Sequence, residues 1–306
     1  MPELPEVETV ARTLRPQVQD RYIGKTEILF ARTLQAGHDL LPLLTGAKIV
    51  NARRRAKVLL LDVLTAAASR DVNSEPLILA FHLKMTGQLF VHGLEVEPNK
   101  HTKIVFGLHS EQEQALQAGG VKLAAQTNTG SMDNQPQARL FFDDMRTFGY
   151  CRIMRPKDLQ DWAFWNKLGL EPLEHSANEL AERFAAKKGR IKNVLLDQEV
   201  VCGIGNIYAD EALFRAGIRP DVKTDALAPS RLLKLGTEVQ AVLQESIAAC
   251  GSSIRDYRDA NGNVGAFQNT FKAYGRGGEP CTLCGTIMTA CRVAGRGTCY
   301  CGKCQK

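Results

Sequence analysis

The chain has 306 residues, of which 44% are apolar and 24% are charged, and its formal net charge is +6. This composition is typical of a globular protein with two domains and room for a small module, and it excludes wholesale disorder. The most apolar stretch, VLLLDVLTAAA, contains Asp62 and is shorter than the roughly 18 apolar residues of a membrane span. We therefore expect a cytoplasmic protein with no membrane partner.

The first ten residues, MPELPEVETV, carry acidic side chains at Glu3, Glu6 and Glu8. A secretory signal would begin with positive charge and a continuous apolar stretch, so we do not expect a targeting segment. After Pro5 the apolar residues recur at helical spacing, and Pro5 and the acidic side chains suit a first helical turn. The pattern therefore predicts a helix that begins almost at the terminus.

Short β-rich runs follow one another from about residue 21 to 153, and turn residues separate them; examples are KVLLLDV, PLILAFHL, HTKIVFGL and ARLFFDD. This pattern predicts a β-sandwich or a barrel. The segment between His109 and Gln137 is polar, rich in Gln and Gly, and without periodicity. It predicts a flexible inserted loop that decorates one edge of the strands.

Amphipathic helices are predicted from about residue 156 to 250. The stretch from 187 to 220 predicts two helices joined by an irregular loop, with Asn206 as the N-cap of the second helix. Such a helix terminus can bind a phosphate, and Lys188, Arg190 and Lys192 would add positive charge. A capped helical hairpin without a ligand explains the spacing equally well. GIGNIY lacks the third Gly and the preceding strand of a dinucleotide-binding fold, which is excluded.

The C-terminal segment from Phe271 to Lys306 has six basic residues and one acidic residue. Two C-x-x-C pairs, with sixteen residues between them, are typical of one structural four-thiolate zinc site at Cys281, Cys284, Cys301 and Cys304. Disulfide pairing is the alternative, which a cytosolic setting disfavours. Cys299 is two residues from Cys301, so it is the one other thiol that could compete for the metal. A basic run alone is often a solvated tail, but beside a zinc site it favours nucleic-acid binding.

Several stretches occur in order along the whole chain: MPELPEVETV, RRRAKVLL, FHLKMTG, DMRTFG, GIGNIYADEALFRAGI, YGRGGEPCTLCG and GRGTCYCGKCQ. Together they resemble the bacterial formamidopyrimidine-DNA glycosylases, repair enzymes that remove 8-oxoguanine and ring-opened purines from DNA. The resemblance implies an α+β multidomain fold. An N-terminal β-sandwich with an initial helix would cover residues 1–153, a helix-two-turn-helix domain with a lesion loop 154–266, and a four-Cys zinc finger 267–306.

The resemblance also implies a bifunctional glycosylase and abasic-site lyase in which Met1 is removed and Pro2 becomes the nucleophile. An α-amino group has a reference pKa near 8, against about 10.4 for Lys, so at pH 7 it is neutral far more often. Attack on C1′ would release the base and leave an iminium, and β- and δ-elimination would follow. Three further residues match catalytic positions: Glu3 as the carboxylate that handles protons, Lys57 in an apolar strand as a general acid, and Arg296 in the finger.

Met85, Arg146 and Phe148 match the residues that this family inserts into DNA. An extruded base leaves a gap in the stack, which apolar side chains can fill while an Arg donates to the orphaned cytosine. Without the resemblance, Met85 and Phe148 would more often be core residues. Further DNA contacts are implied for His82, His101, Lys192 and Asn206.

The implied partner is double-stranded DNA containing oxidised purines, bound by a nucleoid-associated monomer. The segment GSSIRDYRDANGNVGAF resembles the family's mobile loop over the flipped base. Two alternatives stay open. The related endonuclease VIII enzymes act mainly on oxidised pyrimidines, although PELPEVET and DMRTFG favour the purine enzymes. A non-catalytic zinc-ribbon binder could use the same basic surfaces, but it gives no reason for Pro2 or Lys57.

Overall fold

The computed structural model describes residues 1–66, 76–111, 116, 121–123 and 136–306. Contacts divide the chain into two compact units. Unit 1 comprises Met1–Pro2, Glu6–Ala163 and Ser253–Gly265, and unit 2 comprises Glu3–Pro5, Phe164–Ser252 and Ala266–Lys306. This division differs from the predicted boundaries, because residues 253–265 group with the strands and the cysteine-rich segment groups with the helices.

The chain starts with a helix, α1 (Leu4–Val18), as the apolar spacing predicted. Among the described residues the strands that follow are β1 (Tyr22–Ile28), β2 (Leu34–Ala36), β3 (Ala47–Arg55), β4 (Val58–Leu64), β5 (Leu77–His82), β6 (Gly87–His92), β7 (Thr102–His109), β8 (Val121–Leu123), β9 (Ala138–Asp144) and β10 (Tyr150–Met154). Short 3-10 segments lie at Ala31–Thr33, His38–Leu44 and Pro156–Asp161. The four β-rich runs predicted from the sequence correspond to β4, β5, β7 and β9.

Backbone hydrogen bonds join the strands of unit 1 in the order β2-β10-β5-β4-β3-β1-β7-β9-β6, and β8 pairs with β1. Four steps separate β5 from β7, which would be about 19 Å in a flat sheet. Nevertheless, the rings of Phe81 on β5 and Phe106 on β7 have centroids only 6.2 Å apart. The sheet therefore folds over on itself, and its two halves enclose a core that also contains the apolar side of α1. The predicted β-sandwich with an initial helix is confirmed.

The polar insertion between His109 and Gln137 contains one described strand, β8. It pairs in parallel with the second half of β1, from Thr26↔Val121 to Ile28↔Leu123. The prediction of an irregular loop was therefore wrong at this point. A three-residue strand is too short for a periodic signal, and its backbone partners come from a strand almost 100 residues earlier. Most of the rest of that prediction falls on 112–115, 117–120 and 124–135, which lie outside the described residues.

The helices that follow β10 along the chain are α2 (Ala163–Asn166), α3 (Ala177–Ala186), α4 (Ile191–Leu196), α5 (Asn206–Ala216) and α6 (Pro229–Ala248). Short 3-10 segments lie at Thr224–Ala226 and Phe267–Thr270, and strands β11 (Thr289–Val293) and β12 (Arg296–Tyr300) form a hairpin. The amphipathic helices predicted between about residues 156 and 250 are confirmed except in LQDWAFWNKLG (residues 159–169), whose apolar spacing predicts one helix where the structure has a 3-10 segment and the four-residue α2. Within the described part of the chain, no helix is long and apolar enough to cross a membrane.

The cysteine-rich segment is attached to α5 by side chains that face it. Phe214 packs with Met288, Cys281 and Cys301 in one small buried cluster. Glu211, fully buried, accepts hydrogen bonds from the backbone N–H groups of residues 272–274 at 2.8–3.1 Å. These contacts explain why the segment groups with the helices.

Candidate functional site

Glu3 is held at the start of α5 by backbone donors within unit 2. Its side chain is buried, and its carboxylate accepts hydrogen bonds from the N–H groups of Gly205 at 2.6 Å and Ile207 at 3.1 Å. The N-cap of α5 is Gly205, and Asn206 is the first helical residue. The prediction of Asn206 as N-cap was therefore wrong by one residue. A carboxylate about 200 positions away in the chain supplies the acceptor that local sequence could not reveal.

The glycines of the GIG stretch allow this approach. A Cβ on Gly205 would lie 2.3 Å from the Cδ of Glu3. Gly203 has φ +88°, and a Cβ there would meet Leu4 at 2.7 Å. The N–H groups that a phosphate-binding helix terminus would offer at positions 205 and 207 are used by Glu3. These glycines thus dock the N-terminal residues of the chain.

Pro2 and Lys57 belong to unit 1, and both are buried. Lys57 lies in the two-residue turn between β3 and β4, where the sequence had predicted a strand. Ala56, the other turn residue, has φ +50°, a conformation that side chains rarely adopt. The guanidinium of Arg54 donates to the carbonyl of Ala56 at 3.3 Å and so supports this turn.

His82 ends β5 and is paired with Val58, the residue after Lys57. Burial and the positive charges of Lys84 and Lys57 lower the pKa of His82 to about 3. Its Nδ1 accepts the backbone N–H of Lys84 at 3.1 Å, which places the ring proton on Nε2. The residue for which the resemblance implies a DNA contact is therefore a buried, neutral imidazole. His82 lies opposite the residue after Lys57 because of the register between β4 and β5, which the sequence does not reveal.

Met85, Arg146 and Phe148 are all exposed, so the alternative that the two apolar residues belong to the core is wrong. Met85 is 37% exposed in the turn after β5, and Phe148 is 55% exposed between β9 and β10. The Arg146 guanidinium carbon lies 5.0 Å from the centre of the Phe148 ring. Pairing of Gly87 with Asp144 brings the two loops together at one end of β6 and β9.

Asp144 and Thr86, which the sequence did not mark as functional residues, hold these two loops in place. Asp144 is 1% exposed, and its carboxylate accepts from the Thr86 hydroxyl at 2.5 Å and from the Gly149 N–H at 2.6 Å. The backbone N–H of Asp144 donates to the carbonyl of His101 at 2.9 Å, so half-buried His101 lies beside the same strand end. The sequence offered one signal for this role: Asp144 ends an apolar strand directly before the loop that is predicted to contact DNA.

The segment that resembles the mobile lesion loop is bound to α1 in this structure. Tyr257 and Ala260 are buried in the core of unit 1. The N–H of Ala260 donates to the Thr13 hydroxyl at 3.1 Å, and the side-chain amide of Gln17 donates to the Ala260 carbonyl at 3.4 Å. Segment 253–265 therefore has side-chain anchors on helix α1.

The predicted phosphate ligands of unit 2 fall into two groups. Lys188 and Arg190 are exposed ahead of α4. Lys192 is fully buried, and its ammonium donates to Asp210 at 2.6 Å, to the Thr298 hydroxyl at 2.7 Å and to the Gly297 carbonyl at 3.2 Å. All three ammonium hydrogens are thus used, and the predicted phosphate contact of Lys192 does not fit this position.

Asn206 also binds the hairpin, because its side-chain amide donates to the Gly297 carbonyl at 2.9 Å. Lys192 and Asn206 therefore hold the residues that follow Arg296, which begins β12 and is exposed. The Thr298 hydroxyl donates in turn to the Arg296 carbonyl at 3.1 Å. The sequence predicts phosphate contacts for Lys192 and Asn206, and it does not reveal their hydrogen bonds to this hairpin.

The four cysteines of the two C-x-x-C pairs meet in one cluster, with all sulfur atoms within 4.8 Å of one another. Sγ separations of 3.9 Å (Cys281 to Cys304) and 3.5 Å (Cys284 to Cys301) are far longer than a disulfide bond of about 2.05 Å. A tetrahedral zinc site with Zn–S bonds of about 2.3 Å has sulfur atoms about 3.8 Å apart. The donor set fits one four-coordinate metal ion. Cys299 pairs with Ala290 in the hairpin and is not part of the cluster.

The chain matches two family models, the formamidopyrimidine-DNA glycosylase N-terminal domain over residues 1–151 and the formamidopyrimidine-DNA glycosylase H2TH domain over residues 168–258. It is 52% identical over 228 residues to a formamidopyrimidine-DNA glycosylase of Nitratidesulfovibrio vulgaris, covering 74% of this chain and 55% of that protein. It is 38% identical over 309 residues to that of Desulfitobacterium hafniense, covering 100% of both chains.

Solved structures of Lactococcus lactis Fpg are similar to this chain. One is a complex of the wild-type protein with DNA containing N7-benzyl-Fapy-dG, with a TM-score of 0.81, 30% identity and 100% coverage of both chains. Another is a complex with DNA containing an abasic site, with a TM-score of 0.80, 29% identity and 99% coverage of both chains. The chain belongs to the formamidopyrimidine-DNA glycosylase family.

Proposed function

We propose that this protein is a bifunctional glycosylase and abasic-site lyase that removes oxidised purines, 8-oxoguanine and formamidopyrimidines, from duplex DNA. It is a member of a family of DNA glycosylases, and the Lactococcus lactis proteins that it resembles are bound to damaged DNA. The observation that carries the proposal is the buried carboxylate of Glu3, which two backbone N–H groups orient directly after Pro2. An oriented carboxylate beside a terminal amine suits proton transfer at the atom that the amine attacks.

In the proposed reaction, removal of Met1 exposes the secondary amine of Pro2. Its lone pair forms a bond to C1′ while the bond between C1′ and the base breaks, and the departing base takes up a proton. The Pro2 nitrogen then gives up its proton, and its lone pair opens the sugar ring as the ring oxygen is protonated, which leaves an iminium on the Pro2 nitrogen. Loss of the C2′ proton feeds electrons into the iminium and expels the 3′-phosphate. Loss of the C4′ proton then expels the 5′-phosphate.

Glu3 handles the protons at the sugar, and Lys57 acts as a general acid near the lesion. His82, which is neutral at pH 7 and shares a strand pair with the residue next to Lys57, adds no positive charge of its own there. A second positive charge would favour the neutral form of the Lys57 amine. The neutral imidazole is therefore compatible with Lys57 keeping the proton that a general acid needs.

Met85, Arg146 and Phe148 fill the gap that the extruded nucleotide leaves, and their exposure supports this role. Lys188, Arg190 and His101 contact the DNA backbone, and Arg296 reaches toward the lesion from the finger. One zinc ion, held by the four thiolates of the cysteine cluster, supports the finger without a coordination position for water. The protein acts as a monomer, and its substrate places it at the nucleoid.

Borohydride trapping tests the proposal. Protein with Met1 removed is incubated with duplexes containing 8-oxoguanine, formamidopyrimidine or an oxidised pyrimidine, in the presence of borohydride. We expect a covalent adduct on Pro2 with both purine lesions and much less with the pyrimidine. Preference for the pyrimidine would favour the endonuclease VIII alternative, and an adduct on Lys57 would contradict the proposed nucleophile.

A protein that retains Met1 is the matched control. Its Pro2 nitrogen is a tertiary amide without a nucleophilic lone pair, so it should bind lesion DNA but form no adduct and release no base. Full activity of this protein would overturn the mechanism while leaving DNA binding intact.

A further inference from the structure

Asp144 lies where two DNA-facing loops of unit 1 meet. It ends β9 and is paired with Gly87, so it lies one residue from Thr86 across the strands and two residues before Arg146 along the chain. Its carboxylate is 1% exposed and faces donors from both loops. Asp144 has no part in the reaction proposed for Pro2 and Glu3, and its buried carboxylate is not exposed for contact with DNA.

We infer that Asp144 is a positioning residue that holds the turn carrying Met85 and the loop carrying Arg146 and Phe148 as one rigid part. The three exposed side chains then enter a duplex together. This inference rests on the proposed function, since it assigns the way in which the inserted residues are kept in place.

The hydrogen bonds of Asp144 close a ring between the loops. Its Oδ1 accepts from the Thr86 hydroxyl at 2.5 Å and from the Arg146 N–H at 3.2 Å, and its Oδ2 accepts from the Gly149 N–H at 2.6 Å. The Arg146 N–H also reaches the Thr86 hydroxyl oxygen at 3.0 Å. Both ends of the 146–148 loop and the residue after Met85 are thus tied to one carboxylate.

The backbone conformations in these loops need such support. Lys84 has φ +53° and Thr147 has φ +56°, both in the left-handed region that residues with a Cβ rarely occupy. One of these residues precedes Met85, and the other lies between Arg146 and Phe148. Conformations of this kind persist only where surrounding contacts hold them. The carboxylate of Asp144 bonds Arg146 and Gly149 on either side of Thr147, and it reaches the Met85 turn through Thr86, while Lys84 itself donates to His82. Hydrogen bonds to a charged acceptor are the stronger ones, so Asp144 is the group that ties the two strained loops to each other.

Two variants test the inference with little change of volume. Asp144→Asn turns one carboxylate oxygen into an NH₂ group, so that at least one of the three donors then faces another donor. Thr86→Val removes the hydroxyl that joins the loops and keeps the branched shape. Single-turnover rates are measured on an 8-oxoguanine duplex and on the same duplex with a pre-formed abasic site. Asp62→Asn, on β4 and paired with Arg53 at 2.7 and 2.9 Å, is the control.

We expect both variants to slow base removal by about tenfold or more, the usual scale for a lost buried charged hydrogen bond. Cleavage at the abasic site, which requires less unstacking, should change much less. The ratio of the base-removal rate to the abasic-site cleavage rate should therefore fall in both variants, and Asp62→Asn should leave this ratio unchanged. In a protein that already carries Met85→Ala, Arg146→Ala and Phe148→Ala, Asp144→Asn should lower the ratio no further. An unchanged ratio in both variants, equal slowing on both substrates, or a further fall in the triple variant would overturn the inference.

A binding measurement keeps this result distinct from the proposed chemistry. A duplex with an uncleavable abasic analogue carries 2-aminopurine next to the gap, and its fluorescence rises when a side chain unstacks it. Wild-type protein should raise the fluorescence, and Asp144→Asn and Thr86→Val should raise it less at saturating protein. Wild-type protein that unstacks the probe but removes no base would contradict the proposed function only. Variants that unstack it as fully as wild type would contradict the positioning role of Asp144.

Discussion

The carboxylate of Glu3 accepts a hydrogen bond of 2.6 Å from the backbone N–H of Gly205, and a methyl group at position 205 would lie 2.3 Å from the carboxyl carbon. Gly205→Ala must therefore displace Glu3. We expect base removal to slow at least about tenfold, equivalent to ~1.4 kcal/mol of transition-state stabilisation, with a smaller change in DNA affinity. Gly302→Ala, where a Cβ has open space, is the control. Wild-type rates with Gly205→Ala would show that the orientation of Glu3 is unimportant.

The exposed side chains predict a separation of two activities. Met85→Ala or Phe148→Ala should slow base removal from a lesion duplex more than cleavage of a pre-formed abasic site, because the second substrate requires less unstacking. Arg146→Ala should in addition weaken discrimination by the base opposite the lesion. Rates on both substrates and against each opposite base measure these effects. Variants that process both substrates at wild-type rates would contradict an insertion role.

The burial of Lys192 predicts that it does not contribute to the salt dependence of DNA binding. Lys188→Ala and Arg190→Ala should each reduce the slope of log affinity against log salt by about 1, because each removes one phosphate contact. Replacement of the buried pair with Lys192→Met and Asp210→Leu should leave that slope unchanged, and it leaves no unpaired charge. Titrations at several salt concentrations measure the slopes. A reduced slope in the paired variant would restore the phosphate contact first predicted for Lys192.

Metal removal should act on the finger and spare the strands of unit 1. Cys281 and Cys301 pack with Phe214 and Met288, so loss of the metal should loosen the hairpin that carries Arg296. We expect Cys281→Ser or chelation to abolish DNA binding while the β signal in circular dichroism persists. Metal analysis should find one zinc ion per chain in wild-type protein. Equal DNA affinity of metal-free and metal-loaded protein would contradict the structural role.

The lowered pKa of His82 predicts a loss of stability in acid. The unfolded chain binds a proton near pH 6.5, whereas the folded protein resists protonation down to about pH 3. Stability should therefore fall as pH drops below 6.5, by up to about 2 kcal/mol at pH 5 from this group alone. Chemical denaturation at pH 7.5 and 5 of wild type and His82→Gln isolates the contribution, and the variant should lose less. Equal losses would show that His82 is accessible to protons when folded.

The helices, the strands and the metal ligands could be predicted from local pattern. The apolar spacing after Pro5 matches α1. Four strands of unit 1, β4, β5, β7 and β9, match the β-rich runs KVLLLDV, PLILAFHL, HTKIVFGL and ARLFFDD. The C-x-x-C spacing identified all four cysteines of the cluster. Periodicity and short-range spacing decide these features, since neighbours along the chain supply most of the relevant contacts.

The partners of the polar residues could not be predicted in this way. Lys192 and Asn206 look alike as phosphate ligands in the sequence, yet the structure directs both to a hairpin about 100 residues later. Lys57 proved to lie in a turn, and His82 proved to be neutral because of what surrounds it. Burial and charge from other elements determine such properties.

The sequence by itself therefore determined the modules of this protein, its family motifs and the chemical types of its site residues. Only the tertiary structure decided that Glu3 caps α5 and that Asp144 joins two exposed loops. The physical reason is that a buried polar group must find a hydrogen-bond partner, and for Glu3 that partner lies about 200 residues away. No local pattern encodes such a pairing, because it exists only once the chain is folded.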